Sequence, residues 1–559
     1  MNLYKVGISG ITAAEANIAT TAHNISNMAT PGYNRQSVMV SSAGAQAAVN
    51  GYIGRGVQID GVARAYDAFQ FQQLTQARGK GAELSFQADQ LAQISAAVAD
   101  RRVGISPALT AFFTSVNAMA SSPSDPAVRQ DLLGKSNTLV SQFQAANAEL
   151  QATREGINSQ ISTAVEQVNS YLHRINTLNK DILASQGAQG QMPNDLLDAR
   201  DQALAELNQL VGIQFSEQGN VVNVSLANGQ ALIAGNAVFE LQAVTSATDP
   251  QRVAVGVTLP GAGADKQVVE LRDAQVSGGK LGGLTKVRSE TLDTMQAEIG
   301  QLAVGLALAF NAVHANGQAP SGAVQDYFSL GTPTLLSNAN NTGNLTLSAD
   351  YAPVVETIDA AGNRSLSEIA LEASDYSIVF KDGAYSVTRS SDNKTTTFAP
   401  GQPPEIPGLV LNLGGTPADG DSWVIQPTRN AARDVSLNIS RPEDIASAGS
   451  AGGAANGENA LALAKLQTAR VFDGGTTSAT ELYAKTVNSI GVQTQAAQTG
   501  NTAQNTLISQ KLAAQQAVSG VVANVEYVNL TEFQNQYQAS AKIIDVASTL
   551  FDTLLGMRG

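Results

Sequence analysis

The sequence predicts a mainly α-helical fold with β-rich insertions, and three observations predict it. Apolar residues recur every three or four positions near both chain ends and throughout residues 67–210, which is the period of one helical face. The period changes to alternation over residues 211–277 and within 323–430, where turns containing glycine separate the runs. The order is therefore helix, β, helix, β, helix, with two β-rich insertions inside a helical frame.

The first helix is predicted over residues 4–29, where an apolar stripe includes Ile11, Ile18 and Ile25. It ends at the turn Thr30-Pro31-Gly32-Tyr33. Proline pre-sets the second position of this turn and glycine supplies a positive φ at the third, which predicts a type II turn. Residues 35–63 alternate apolar and polar side chains, so we expect short strands or an extended connection there.

Long antiparallel helices are predicted over residues 67–210, with breaks at 104–107, 121–126 and 187–193. A further helix is predicted over about 284–315, between the two β-rich blocks, and the glycines of "GGKLGG" are expected to mark a turn into it. From residue 457 the chain is again rich in Ala and Gln and is predicted to be helical to its end.

The C-terminal helix carries two apolar stripes. The first contains Tyr527, Leu530, Tyr537, Ile544, Phe551 and Leu555, and the second contains Phe533, Ile543, Val546, Leu550 and Leu554. A helix with two apolar stripes has two sides to bury. The pattern therefore predicts that the N- and C-terminal helices pair with each other, and that the surplus face meets another subunit.

Composition excludes several classes of partner. A net charge of −14 argues against nucleic acid, because neutralising phosphates requires clustered Lys and Arg. The chain has no cysteine, which rules out disulfides and thiolate sites. The N-terminal residues lack the pattern of a cleavable secretory signal. No run approaches the roughly 18 apolar residues of a membrane span, so no membrane insertion is expected.

No catalytic residue, cofactor or metal site is predicted. The three histidines, His23, His173 and His314, lie on separate predicted helices without a paired spacing. The pairs Asp195/Asp198 and Asp198/Asp201 are adjacent to Arg200, which predicts a solvated helix face with local ion pairs. Two alternatives remain open at this point: an exported enzyme, or an adhesin or tail-fibre protein, either of them using the β insertion at 323–428.

Several motifs together carry a family resemblance. They are, in chain order, "ATPGYNRQ" (29–36), "GGKLGGL" (278–284) before a helix with "AFNAVHANG" (309–317), "NGENALALAKLQ" (456–467), and "YQASAK" (537–542) followed by "DTLL" (552–555). This combination resembles the flagellar rod and hook axial proteins, most closely the hook-associated protein 1 family that joins hook to filament. The sequence departs from the family at Val522-Ala523-Asn524-Val525, where relatives commonly carry acidic residues, and at His23.

The resemblance implies a structural protein that polymerises as the hook–filament junction and is needed for filament assembly, without catalysis. In this family the chain ends form an inner coiled coil and the middle forms a helical bundle and an outer β domain. The implied division is 1–66 (N-terminal axial helix and extended connection), 67–322 (helical bundle with the 211–277 insertion), 323–430 (outer β-rich domain), 431–500 (return helical segment) and 501–559 (C-terminal axial helix).

The implied partners are copies of the chain in a ring, hook protein, the next junction protein (hook-associated protein 3), a cytoplasmic export chaperone and the flagellar export apparatus. The implied location is extracellular, in the flagellum, after export without a cleavable signal peptide.

The amide side chains before the turn raise a specific hypothesis. Asn24, Ser26 and Asn27 are expected to hydrogen-bond across a subunit contact or to adjacent backbone. Arg35 is expected to bond to the turn or to a neighbouring subunit, with a solvated Arg35 as the alternative. The expected subunit-interface set is Ile11, Ile18, Asn24, Ile25, Asn27, Pro31, Gly32, Tyr33, Arg35, Tyr537, Ile544, Phe551 and Leu555. The expected escort-binding set is Tyr527, Leu530, Phe533, Tyr537 and Ile544.

Overall fold

The computed structural model describes residues 2–48, 51–98, 104–189, 192–260, 266–323, 325–360 and 363–557. About 53% of the chain is helical, which confirms a mainly α fold with β-rich insertions. The α-helices are α1 (Asn2–Asn27), α2 (Ala68–Val98), α3 (Ile105–Ser121), α4 (Pro126–Gln189), α5 (Asn194–Leu210), α6 (Gly279–Lys286), α7 (Asp293–Ala315), α8 (Ala431–Asp434), α9 (Glu458–Lys465), α10 (Ala479–Ser519) and α11 (Ala523–Gly556).

The strands fall into three groups along the chain. A connector after α1 holds β1 (Gln36–Ser42), β2 (Ala45–Ala48), β3 (Gly51–Gly54) and β4 (Val57–Arg64). The first β insertion holds β5 (Ile213–Gln218), β6 (Val221–Leu226), β7 (Ala231–Ala234), β8 (Ala237–Val238), β9 (Leu241–Thr245), β10 (Val253–Pro260) and β11 (Lys266–Leu271). The later strands are β12 (Phe328–Ser329), β13 (Thr334–Ser337), β14 (Thr346–Tyr351), β15 (Glu356–Ile358), β16 (Arg364–Leu366), β17 (Tyr376–Lys381), β18 (Ala384–Arg389), β19 (Thr395–Thr397), β20 (Leu409–Gly414), β21 (Ser422–Gln426) and β22 (Ser436–Leu437).

The helical body consists of α2 to α7 together with α9 and α10, and it contains the main core. Its centre is aromatic: Phe112 and Phe310 have ring centroids 5.4 Å apart, and the Phe310 ring centroid lies 4.6 Å from that of Tyr327. Gly279–Ala315 is long and apolar enough to cross a membrane, but 78% of its apolar window is buried inside this body. This segment therefore serves as a core helix of the protein.

Some predicted boundaries need correction. The helix predicted from about residue 284 begins at Gly279, five residues earlier, and passes through a π-helical turn at Val287–Leu292. The break predicted at 104–107 is already helical from Ile105, whereas the break at 121–126 is confirmed between α3 and α4. The break predicted at 187–193 includes residues 190–191, which lie outside the described residues.

The two β regions pack differently. The first β insertion forms sheets in the orders β5-β6-β7-β8 and β11-β10-β9, and lies against α4, where Asn179 Nδ2 donates to the Val222 carbonyl at 2.9 Å. The second β domain, residues 334–426, has the five-stranded order β13-β21-β17-β18-β19 and a separate small core around Trp423 and Ile425. The second domain therefore has a small core of its own, and its Ile369 and Leu371 are buried in the main core of the body.

Both chain ends return to the same place. The N-terminal helix α1 packs against α11, and α2 packs against α10, so the two ends of the chain run side by side. Helices α10 and α11 are separated at residues 520–522, whereas the domain boundary implied at 501 falls inside α10. We call α1 with α11 the axial pair. It joins the body through the connector on one side and residues 520–522 on the other.

Candidate assembly interface

The axial pair is closely packed because α1 presents glycines to α11. A Cβ atom on Gly7 would overlap the Ile544 side chain, and one on Gly10 would overlap the Ser540 hydroxyl. Small residues at a helix crossing let the two backbones approach closely. Ile11, Ile18 and Ile25 of α1 are half-buried beside this contact, so each helix covers only part of the other.

An apolar face of the pair remains uncovered. On α11 the exposed side chains include Leu550 at 50%, Phe551 at 55%, Leu554 at 65% and Leu555 at 56%. At the same end of the pair, where the start of α1 lies beside the C-terminal part of α11, Leu3, Tyr4 and Ile8 are also exposed. Among the helices that the structure describes, such a concentration of exposed large apolar residues is typical of a surface that binds a partner.

A polar cluster fixes the pair where it meets the body; we call it the anchor. Its centre is Glu526 in the first turn of α11, which is only 1% exposed. Its carboxylate accepts hydrogen bonds from Arg35 Nε at 2.6 Å and from Asn24 Nδ2 at 3.2 Å. The backbone N–H of Arg35 also donates to the Ser519 carbonyl at 2.9 Å. The C-terminal helix is therefore tied to the N-terminal segment by groups far apart in sequence.

Asn24 links the anchor to the turn. Its side-chain oxygen accepts from the Tyr33 hydroxyl at 2.7 Å and from the Gln36 backbone N–H at 2.9 Å, while Nδ2 donates to the Gln36 carbonyl at 2.9 Å. Burial, reinforced by nearby Asp195, raises the pKa of Tyr33, so its hydroxyl remains a donor. All these partners lie within the same chain. Ser26 and Asn27 bond to the adjacent backbone of α1, one of the two outcomes expected for them.

The turn itself is as predicted. Gly32 has φ +79°, and the Tyr33 N–H donates to the Thr30 carbonyl at 3.2 Å, which confirms a tight turn with glycine at its third position. Pro31 and Gly32 are exposed, whereas Tyr33 is half-buried. The turn reverses the chain from α1 into β1 at the anchor.

The aspartates of α5 hold the connector, which corrects the prediction of a solvated face. Asp198 and Asp201 are buried. Asn34 donates to Asp198 through its backbone N–H at 2.9 Å and through Nδ2 at 2.6 Å. Arg64 Nη1 lies 2.8 Å from Asp198 and 2.7 Å from Asp201. Burial raises the pKa of Asp201 while the Arg64 guanidinium opposes that rise. Only Asp195 remains largely exposed, with Gln36 Nε2 at 2.9 Å.

The residues expected to bind an escort are not equally accessible in the folded pair. Tyr527 and Tyr537 are exposed, whereas Leu530 and Phe533 are half-buried. Ile544 lies against α1 at Gly7, so within the folded pair it is partly covered. A partner could contact the whole set only when α11 is free of α1.

Sequence reasoning missed Glu526, Asp198, Asp201 and Arg64 as parts of this site. The available signal was the three-residue spacing of Asp195, Asp198 and Asp201, which places them on one side of α5. Side chains with that spacing could face either solvent or the packed connector. Their partners in the connector lie more than a hundred residues away in sequence, so local pattern could not decide.

Three family models match the chain. They are the "Flagellar hook-associated protein FlgK helical domain" over residues 91–328, the "Flagellar hook-associated protein 1, D2-like domain" over 336–427, and the "Flagellar basal body rod FlgEFG protein C-terminal" over 514–557. The second of these ranges covers the second β domain from residue 336 onward, and the third includes α11.

Relatives match over the full length. The chain is 36% identical over 570 residues to flagellar hook-associated protein 1 of Salmonella typhimurium, covering 100% of both chains. It is 35% identical over 564 residues to that of Escherichia coli, again covering 100% of both. Among solved structures, the flagellar hook junction protein FlgK from Burkholderia pseudomallei is similar with a TM-score of 0.72 and 28% identity, over 80% of this chain and 100% of that one.

Proposed function

The chain belongs to the flagellar hook-associated protein 1 family, and from that premise we propose that it polymerises as the junction between hook and filament of the bacterial flagellum. The family is structural, so the chain is a building block and not an enzyme. The observation that carries the proposal is the uncovered apolar face of the axial pair, which is unusual for a monomer in water.

The axial pair is the part that we propose enters the tube wall, as a coiled coil of α1 and α11. Glycine contacts hold the two helices together, and Ile543, Val546, Leu550 and Leu554 follow spacings of three and four along the open side. Copies of the chain arranged in a ring would cover these side chains. Burying one leucine contributes about 1.5–3 kcal/mol, so a few per subunit suffice to drive association.

The anchor gives the pair a defined direction relative to the body. Its buried hydrogen bonds favour one geometry, because each alternative leaves a charged group without a partner. Asn24, Tyr33 and Arg35 therefore support the interface from within one subunit. The residues proposed for the subunit contact itself are the exposed apolar ones, including Phe551 and Leu555.

Contacts with hook components follow from membership of the family. We extend this proposal to the next junction protein (hook-associated protein 3), the export apparatus and an export chaperone, with export occurring without a cleavable signal peptide to an extracellular position. The chaperone would bind α11 before it pairs with α1, through Tyr527, Leu530, Phe533, Tyr537 and Ile544. A helix that exposes two apolar stripes is suited to a helix-in-groove contact.

The assembly proposal is tested by complementation. Cells that lack the protein should build hooks but release filament subunits into the medium, and the wild-type chain should restore filaments. A chain carrying Leu550→Ser and Leu554→Ser should fail to restore them. The matched control is Val492→Ser, which changes an exposed apolar residue on α10 outside the axial pair. Normal filaments from the double variant would refute the proposed face.

The escort proposal has its own test. Removing residues 520–559 should abolish the chaperone complex, whereas removing residues 2–27 should leave it intact, because the proposed contact lies on α11 alone. Retention of the complex after the C-terminal deletion would contradict this assignment without affecting the assembly proposal.

A further inference from the structure

The register of the axial pair is fixed by contacts near both of its ends. A Cβ atom placed on Gly7 falls on the Ile544 side chain. Near the body, Asn24 Nδ2 donates to the Glu526 carboxylate at 3.2 Å. The two contacts are separated by nearly the same length of chain on both helices. The helices are therefore antiparallel and stay level with each other along the pair, since both rise by the same amount per residue.

The last two turns of α11 project past the start of α1. Continuing the register places Asn2, the first described residue of α1, beside about residue 548. Residues 551–556, which we call the tip, therefore extend roughly 10 Å beyond Asn2. Three apolar side chains of the tip are more than half exposed: Phe551, Leu554 and Leu555. The part of α1 that the structure describes does not reach far enough to cover them.

A groove lies at the opposite end of the axial pair, where the chain enters the body; we call it the base groove. It encloses about 970 Å³ between the turn at Pro31-Gly32, α2, α5 and the C-terminal half of α10. Its apolar lining consists chiefly of Met28, Phe71, Leu74, Ile508, Leu512 and Val522. Helix α1 has 26 residues and is therefore about 39 Å long, so the tip and the base groove of one chain cannot meet.

Arg78 of α2 lines the base groove and is half-buried. Among the residues that the structure describes, its guanidinium has neither a hydrogen-bond partner nor an ion pair. Burial lowers the pKa of Arg78, although the charge of Glu206 opposes this. The other charged residues of the groove already accept hydrogen bonds, Glu206 from Gln202 and Asp201 from Arg64. The N–H groups of Arg78 are therefore available to a group that enters the groove.

The tip carries the charge that such a cation attracts. The last C=O groups of a helix have no partner within it and carry roughly half a negative charge. Asp552 adds a full negative charge, is exposed, and is the sole charged residue among residues 546–557. The tip is thus apolar and anionic, whereas the base groove is apolar and holds an unpaired cation.

We propose that the tip of one copy docks into the base groove of another copy in the assembled junction, where Arg78 faces Asp552 and the last carbonyls of the neighbouring α11. This contact rests on the proposed function, because it requires that copies of the chain assemble. Since it joins two different surfaces it is heterologous, so it can repeat from copy to copy around a ring. The neighbouring copy then covers the apolar turns that α1 leaves open.

The absence of cysteine allows a direct cross-linking test. Thr553→Cys in the tip and Gln209→Cys in the base groove are combined in one chain, and flagella are isolated from cells in which this chain replaces the wild type. Oxidation should join copies of the chain into dimers and larger products on a non-reducing gel. The matched control combines Thr553→Cys with Thr163→Cys, an exposed position on α4 away from the groove, and should remain monomeric.

A charge exchange tests the pairing of Arg78 with Asp552. Arg78→Asp brings like charges together and should reduce the number of cells with filaments about tenfold. Arg78→Asp combined with Asp552→Arg restores an opposite pair and should return that number to within about twofold of the wild type. Arg174→Asp, at an exposed arginine of α4, controls for the change in net charge and should match the wild type.

Three results would overturn the inference. One is a chain with Thr553→Cys and Gln209→Cys that restores filaments but gives no cross-linked product; the proposed function would then stand without this contact. Another is a benzophenone amino acid in place of Thr553 that links the chain to a different flagellar protein and not to itself. The third is a charge exchange that leaves filaments as rare as in Arg78→Asp, and it decides the matter even if the cysteine chain does not assemble. Failure of the wild-type chain to restore filaments would instead refute the proposed function itself.

Discussion

The helical body and the axial pair are built from helices with the same apolar period, but the apolar side chains are buried in the body and largely exposed in the pair. In the body, Phe112 and Phe113 of α3 and Ile161 of α4 are 0% exposed. In the axial pair, Leu550 and Leu554 remain at least half exposed after α1 and α11 have packed. The body completes its core within one chain, whereas the pair leaves much of its apolar surface exposed.

The difference teaches that helical period predicts an apolar stripe but not what covers it. The two regions differ in how they are fixed: the body is held by apolar contacts, and the pair is oriented by the anchor around Glu526. Folding and assembly are therefore separable properties of this chain. Substitutions in the body should change stability, and substitutions on the open face should change association.

The largest effect on stability is expected in the body. Phe112→Ala removes a fully buried ring that contacts Phe113, Phe310 and Phe328, so it should lower the free energy of unfolding by about 3–5 kcal/mol. Urea unfolding followed by far-ultraviolet circular dichroism measures the change. Phe69→Ala is the control, because Phe69 on α2 is 65% exposed and should cost less than about 0.5 kcal/mol. Equal losses from both variants would contradict this packing.

The next largest effect is expected at low pH, which should lower the free energy of unfolding of the body. His314 is buried, its Nε2 accepts from the Ala446 N–H at 2.9 Å, and Nδ1 donates to the Gln325 carbonyl at 3.0 Å. Burial lowers its pKa from 6.5 to about 4. The folded state therefore holds His314 neutral, and this stability is present above pH 6.5 and lost as the pH falls toward 4, by about 3 kcal/mol in total.

The pH dependence is measured as the unfolding free energy at several values between about pH 7 and 4.5, the range in which His314 takes up its proton on unfolding. His314→Gln should flatten the acid limb, and a limb as steep as that of the wild type would contradict this assignment. Asp375 contributes a slope of opposite sign in the same range, so the difference between His314→Gln and wild type is the informative quantity.

Substitution of Glu526 in the anchor should lower the stability by a smaller amount, and only near the start of α11. Glu526→Gln keeps the shape and the hydrogen bond from Asn24 but removes the charge that faces Arg35, which is partly exposed. We expect a loss of about 1–2 kcal/mol, because the solvent screens part of this pair. Hydrogen exchange of the first turns of α11 should accelerate while the body is unchanged. Glu532→Gln on the exposed side of α11 is the control. If hydrogen exchange accelerates as much in Glu532→Gln as in Glu526→Gln, Glu526 does not fix α11 in the way described.

The contrast between the two regions also shows how much the sequence could predict. The turn at Pro31-Gly32 and the C-terminal helix follow from local chemistry and period, and both are present, the latter as Ala523–Gly556. The predicted start of α6 is too late, because consecutive glycines normally favour a turn, whereas here Gly282 and Gly283 lie inside a helix that packs tightly against α2 and residue 277.

The polar contacts could not be predicted from sequence. Arg35 and Glu526 are 491 positions apart, and Asp198 meets Arg64 across 134 positions. Each of these side chains is equally plausible on a solvated surface, since only the fold decides which charges share a buried site. The buried ion pairs of Arg429 are a second example, because its partners Asp249, Asp293 and Asp375 come from the first β insertion, α7 and the second β domain.

Substitutions on the uncovered apolar face of the axial pair should have the smallest effect on the stability of the monomer. This result tests whether the axial pair and the body differ as described. Leu550→Ser with Leu554→Ser changes two exposed side chains, so the unfolding free energy of the dilute monomer should move by less than about 0.5 kcal/mol. Association of the purified chain, followed by sedimentation at increasing concentration, should nevertheless weaken by a factor of about 10 or more, since each buried leucine contributes about 1.5–3 kcal/mol. If monomer stability falls instead, these leucines complete a core within one chain, and the axial pair differs from the body only in degree.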